Sequence, residues 1–199
     1  MPGANHYGHL YEDKGRLASY WHQVDESLAL GGKSVLVVGK GSGTASYLLD
    51  RRGLQVTTVD IQAELQPTVL GDVRHLPFSN RTFDVITCCQ VLEHLPFEFF
   101  APCLRELKRV VRRGIVLSLP DSGKFSKVLP RLAGKRVVME LPNLALKSMD
   151  PDGEHSWEVN SKGVLLRDVQ RQIGQAGLTT DRTFRVWEFP YHRFWRLRV

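Results

Sequence analysis

Apolar residues recur along this chain in two alternating rhythms. Leu17, Tyr20, Trp21, Val24 and Leu28 fall at helical spacing, which predicts an amphipathic helix over residues 14–30. Gly31-Gly32 stops it. The continuous apolar run Ser34–Val38 reads as a strand buried on both faces of a parallel sheet. A glycine-rich loop follows, and Ala45, Leu48 and Leu49 open a short helix that ends near Gly53. Leu54–Ile61 predicts a strand carrying Asp60 at its end, Thr68–Leu70 a short strand closed by Gly71-Asp72, and Phe83–Cys89 a third apolar run. Phe97, Phe100, Ala101, Leu104 and Val111 mark a helix ending at Gly114, and Ile115–Leu119 is another buried strand. Beyond an irregular stretch, Leu165, Val169, Ile173 and Ala176 predict a last helix stopped by Gly177. Two strands, about Thr179–Phe189 and His192–Val199, close the chain around a turn at Pro190.

Strands alternating with helices predict an α/β sheet with parallel strands and right-handed crossovers. Ligands of such sheets bind outside the carboxyl ends of the strands, so the residues just after each apolar run carry the functional expectation. The 199 residues suit one domain, with 42% hydrophobic and 24% charged residues as in ordinary soluble chains. No apolar run approaches the ~20 residues of a membrane span. Residues Met1 to Tyr11 show no apolar core of a signal peptide, so a cytoplasmic protein is expected. The net charge of +6 concentrates at Arg105, Lys108, Arg109, Arg112 and Arg113 and at Arg193, Arg196 and Arg198, which reads first as a solvated face. Cys88, Cys89 and Cys103 make no disulfide framework and read as buried thiols. The seven histidines are scattered without a close helical pair, so no metal site is expected.

The loop Gly39-Lys40-Gly41-Ser42-Gly43 places three glycines at alternate positions between a strand and a helix. Glycine lets backbone approach a ligand with no Cβ in the way, and the helix N-terminus beyond offers free N–H groups. Asp60 ends the second strand 21 residues after Gly39, where an acid can accept hydrogen bonds from two ribose hydroxyls. Thr44 stands where a dinucleotide fingerprint would need its third glycine, which sets a nicotinamide enzyme behind an adenosyl one. Asp72 follows the third strand, placed to read an adenine edge, with a plain turn role as the alternative.

Taken in order, Val35-Leu-Val-Val-Gly39-Lys-Gly-Ser-Gly43, Val59-Asp60, Gly71-Asp72-Val73, Leu76-Pro77-Phe78, Phe83-Asp84-Val85-Ile86 and Val91-Leu92-Glu93-His94-Leu95 resemble the class I S-adenosylmethionine-dependent methyltransferases, more narrowly the UbiE/methyltransferase 11-like branch. The resemblance covers about residues 33–120. It implies a Rossmann-like, seven-stranded, mostly parallel sheet with an antiparallel last strand, in a single domain over 1–199 whose residues 120–160 form an insertion or lid. It also implies S-adenosyl-L-methionine as cofactor. Carried over by position, it assigns Gly39, Lys40, Gly41 and Gly43 to the cofactor loop, Asp60 to the ribose, and Asp72 with Val73 to the adenine, and it places Ile61 among the cofactor-binding residues. Gln90 falls near the methionine and the reacting sulfur. One departure stands out: the acid usual two residues before the first glycine, which helps hold the methionine ammonium, is Val37 here.

Methyl transfer needs a nucleophile aligned on an activated carbon, and a general base only where the acceptor is protonated at neutral pH. The expected acceptor is a small molecule or lipid-like compound. A catalytically weak or inactive cofactor-binding protein, motivated by Val37, and a nucleic-acid methyltransferase, motivated by the charge, are the alternatives. The stretch Pro120–Asn160 mixes basic and apolar residues (Lys124, Phe125, Lys127, Val128, Leu129, Arg131, Leu132, Lys135, Arg136, Val137 and Val138), as a lid or a peripheral membrane contact would. His6, Tyr7, His9 and Tyr11 are candidates to close over the cofactor. Before the last helix, Glu154 and His155 are candidate bases and Trp157 a candidate apolar wall.

Overall fold

The computed structural model describes residues 12–123, 126–128, 131–132, 135–136, 139–141, 153–161 and 163–199. The expected lid side chains of residues 124–152 and the expected N-terminal closure by His6, Tyr7, His9 and Tyr11 lie outside the described residues. In chain order the elements are α1 (Lys14–Leu30), β1 (Ser34–Val38), α2 (Thr44–Arg51), β2 (Gln55–Asp60), β3 (Val69–Leu70), β4 (Phe83–Cys89), α3 (Phe100–Val110) and β5 (Val111–Pro120). Four short strands follow, β6 (Ser126–Val128), β7 (Arg131–Leu132), β8 (Lys135–Arg136) and β9 (Met139–Leu141), then α4 (Leu166–Gln175), β10 (Thr179–Arg185) and β11 (His192–Arg198).

Seven strands form the main sheet in the order β10-β11-β5-β4-β1-β2-β3. Its pairs are parallel except those of the last strand, β11, which runs antiparallel to both β5 and β10. Within 126–141, β6 pairs with β9 and β7 with β8 as small antiparallel sheets. The period of two along β1 divides the core. Leu36 and Val38 pack on one face with Phe100, Leu104 and Leu107 of α3 and Val169 and Ile173 of α4. Val35 and Val37 face the other way, toward Val24 of α1 and Leu49 of α2.

Three local expectations are corrected. First, α1 exists as predicted, but its inward face is not the apolar stripe: Leu17 and Trp21 are about half exposed, while Ser19, Gln23, Glu26 and Ser27 are buried beside Val24 and Leu30. The helix covers a polar cleft and a pair of arginines, so the buried side has to present polar atoms. Glu26 takes ion pairs from Arg182 at 2.8 Å and Arg196 at 3.1 Å, and Ser19 Oγ lies 2.9 Å from His192 Nδ1. Second, Gly114 does not end α3. That helix passes directly into β5 at Val111, and a Cβ on Gly114 would stand 2.3 Å from the Leu197 carbonyl oxygen and 2.6 Å from Leu30 Cδ2. Its glycine serves close packing inside the sheet. Third, β10 stops at Arg185, and Val186–Tyr191 forms a longer turn, closed where His192 N donates to Phe189 O at 2.9 Å.

Candidate active site

The carboxyl ends of β1, β2, β3 and β4 open on one cleft, roofed by α1 and leaving about 1100 Å³ of empty space that is partly open to solvent. Gly39, Lys40, Gly41, Asp60, Ile61, Asp72, Val73 and Gln90 all line it, as does Val37. Gly43 lies on the outer side of the loop, where it caps α2 with φ +85°. Gly39 is compelled to be glycine: φ is +79°, and a Cβ would stand 2.4 Å from Val91 Cγ2.

Asp60 is oriented by backbone. Lys40 N donates to its Oδ2 at 2.7 Å and Gln62 N to its Oδ1 at 3.0 Å. A carboxylate offers about four lone-pair positions, so each oxygen keeps capacity for a further donor facing the cleft. Beside it Ile61 is 50% exposed, an apolar surface on the cleft wall. Lys40 turns its ammonium away from the loop, donating to the carbonyls of Leu65 at 2.6 Å and Gln66 at 2.8 Å. Its charge thereby ties the glycine loop to the turn after β2. The Asp72 carboxylate receives Arg74 Nη2 at 2.5 Å and the Arg74 backbone N at 2.8 Å, and this hydrogen bonding holds its carboxyl below the usual range.

Several cleft residues were not singled out from the sequence. Arg16, Ser19, Tyr20 and Gln23 come from α1, Gln62 from the turn after β2, Thr87 and Cys89 from β4, and His192 from β11. Thr87 is the register partner of Val37, is 1% exposed, and its Oγ1 has no hydrogen-bond partner among the described residues. Burial pushes the Cys89 thiol up to about 12, so it stays protonated and a poor nucleophile at neutral pH. Burial likewise holds His192 at about 3, a neutral ring. A polar residue two places after Asp60 was a readable signal for Gln62. The others depend on which strands lie side by side.

Gln90, with φ +56°, is held on β5: its N donates to Ser118 O at 3.0 Å and its Nε2 to Ser118 Oγ at 3.1 Å. Just beyond, Glu93 and His94 lie on a 3-10 turn (Leu92–His94) whose neighbours Val91 and Leu95 line the cleft. Glu154 and His155 are outside the cleft lining but meet this turn, where Glu154 O lies 3.3 Å from His94 Nδ1 and the two imidazole centroids are 5.1 Å apart. His155 Nδ1 is 3.1 Å from Glu158 Oε1, which also accepts from Tyr191 OH at 2.6 Å, while Ser122 Oγ donates to Glu158 Oε2. Burial alone raises the Glu158 carboxyl, yet the hydrogen bonds from His155, Ser122 and Tyr191 outweigh it and hold the group at about 2. Burial raises Glu93 to about 7. Trp157 is buried against Phe97 and Phe100 and donates from Nε1 to Leu95 O at 2.9 Å, so it braces this end of the cleft.

The Methyltransferase domain family matches residues 36–119. Ubiquinone biosynthesis O-methyltransferase of Pseudomonas paraeruginosa is 33% identical over 106 residues, 46% of this chain and 45% of that protein. The enzyme of the same name from Hahella chejuensis is 30% identical over 151 residues, 68% of this chain and 59% of its own. The chain thus spans about half the length of these relatives. Magnesium protoporphyrin IX methyltransferase from Synechocystis, solved with bound S-adenosylmethionine, shares the fold at TM-score 0.65 and 19% identity, covering 98% of this chain and 89% of its own. With the glycine loop and Asp60 bounding one cleft at the carboxyl ends of the strands, the chain has the fold of the class I S-adenosylmethionine-dependent methyltransferases, and its residues 36–119 match the Methyltransferase domain family.

Proposed function

We propose that this chain transfers the methyl group of S-adenosylmethionine to a small-molecule acceptor, with an oxygen as the methylated atom. The observation that carries the reading is Asp60: its two oxygens are set by the Lys40 and Gln62 amides at the mouth of a cleft whose floor is a glycine no side chain could replace. The residues fit the cofactor. Asp60 accepts from the ribose hydroxyls, Ile61 and Val73 offer apolar contact to the adenine, and Asp72 with the backbone beside it faces the adenine edge. The ammonium meets Val37 where the family resemblance implies an acid, and the buried Thr87 hydroxyl next to it supplies a lone pair instead. When bound, the sulfonium supplies a methyl carbon already activated for displacement. The protein's share is alignment and exclusion of water, by α1 above and by the Trp157–Phe97–Phe100 group beside the Leu92–His94 turn. The oxygen acceptor rests on the relatives' O-methyltransferase activity and on the imidazoles at the end of β4.

Titration calorimetry with S-adenosylmethionine tests the reading. Asp60→Ala is expected to weaken binding at least ~tenfold, the cost of two hydrogen bonds to a charged group. Equal affinity in the mutant removes Asp60 from the site, and no binding by the native chain overturns the proposal. Val37 supports one other reading, binding without turnover, and release of S-adenosylhomocysteine in the presence of candidate hydroxyl acceptors separates the two.

A further inference from the structure

The end of the sheet opposite the cofactor cleft carries a second concave surface. It lies where the parallel strands β4 and β5 begin, between the turn before β4, the last turns of α3 and the ends of α4 and β11. Arg81, Arg105, Lys108, Arg109 and Arg112 line this open groove, over an apolar floor that includes Val111 and Ala176. Among the described residues, no acid lines it.

The five cations differ in how far the fold itself engages them. Arg109 is fully occupied: Glu106 accepts from its Nε at 2.8 Å and its Nη2 at 2.7 Å, while Phe78 O and Asn80 Oδ1 accept from Nη1. Arg112 Nη1 lies 3.2 Å from Asp84 Oδ1. Lys108 donates to Gly177 O at 2.7 Å, a carbonyl that anchors the ammonium without neutralising it. Arg81 and Arg105 are exposed, and their guanidinium groups meet no acid or carbonyl among the described residues.

Two features tell against a plain solvated face. Arg105 stands three residues before Lys108 and four before Arg109 on one helix, and like charges at those spacings repel. Arg81 has φ +55°, a left-handed position that glycine or asparagine fills with less strain, and its N donates to Arg109 O at 2.8 Å, holding the turn against α3. Repulsion and backbone strain meet at the rim of one groove, and an anion seated between the guanidinium groups relieves the repulsion. Arginine outnumbers lysine four to one here. Its planar fork of N–H groups matches phosphate oxygens in pairs.

We infer that this groove binds a compact ligand carrying two or more phosphate groups, held by Arg81, Arg105 and Lys108. A single phosphate brings at most about two negative charges, fewer than the three cations the fold leaves uncompensated. The ligand class is a diphosphate ester or a lipid headgroup bearing several phosphates. The site does not rest on the proposed methyl transfer.

The test is titration calorimetry of the native chain with inorganic pyrophosphate in the absence of divalent cations. One equivalent is expected, with affinity falling as salt is added. Arg81→Gln and Arg105→Gln should each weaken binding at least ~tenfold, through loss of a charge-assisted contact. Arg51→Gln, which removes the same charge from an exposed position of α2, should bind as the native chain does. Circular dichroism confirms that each variant is folded. Saturating S-adenosylmethionine should leave the pyrophosphate affinity unchanged. Flotation with phosphatidylcholine vesicles containing phosphatidylinositol bisphosphate separates the two sources. Co-flotation that Arg81→Gln abolishes assigns the groove to a headgroup, and pyrophosphate binding without co-flotation assigns it to a free diphosphate ester. Absence of pyrophosphate uptake, uptake of a ribo-oligonucleotide alone, equal weakening by Arg51→Gln, undiminished affinity in both groove variants, or displacement by S-adenosylmethionine overturns the site.

Discussion

Val37 and Thr87 show how one exchanged side chain alters a binding site. They face each other across β1 and β4, both nearly excluded from solvent, and only Thr87 carries a polar atom. If its hydroxyl receives the cofactor ammonium, Thr87→Val removes a hydrogen bond to a charged group at almost constant volume. Calorimetry should then show S-adenosylmethionine binding weakened roughly tenfold. Val37→Asp should act oppositely on affinity and lower the melting temperature of the ligand-free chain, since it buries a carboxylate beside a single hydroxyl. Gly39 and Asp60 were legible in the sequence because each directly follows or ends an apolar run, and strand ends are where this architecture binds. Thr87 was not, because strand register is absent from a linear pattern. Glu158 escaped for a similar reason: its partners Ser122, His155 and Tyr191 come from three separate segments.

Among the elements, α1 and β11 meet at His192, whose ring lies between Ser19 and the edge of the Phe189 ring, with centroids 4.4 Å apart. Burial, with the Arg16 and His155 charges adding to it, lowers its pKa to about 3 from an unfolded value of about 6.5. Between those values the unfolded chain binds the extra proton and the folded chain does not. This contribution to stability is therefore complete above about pH 6.5 and is lost as pH falls toward 3. His192→Gln should flatten that stretch of the stability profile by about one proton, read from urea midpoints at pH 7 and pH 4.5. Within β5, Gly114→Ala forces a methyl group onto the Leu197 carbonyl, and a loss of ~1–3 kcal/mol in denaturant unfolding is expected. The existence of both elements was readable. The role of Gly114 was not, because a glycine after a helical run reads the same whether it ends the helix or admits a neighbouring strand. The polar inner face of α1 was equally hidden, since an apolar stripe marks the buried side only when the element below is apolar.

At the scale of the whole molecule, the sheet was visible from alternation alone, because strands covered by helices on both faces are uniformly apolar. Residues 120–160 offered no such periodicity. Among the described residues, the chain leaving the sheet after β5 meets the returning segment beside Pro120. Val159 N donates to Pro120 O at 2.9 Å and Ser122 N to Val159 O at 3.0 Å, while Asp121 collects Asn160, Arg185 and Arg193 around one buried carboxylate. Departure and return thus share one fastening at the end of β5, built from Pro120, Asp121, Ser122, Val159 and Asn160. Such an arrangement behaves as a socket. A connection whose two ends are fastened to each other tolerates a change of length between them at small cost, since loop-closure entropy grows only slowly with length, and the register of the seven strands is set elsewhere.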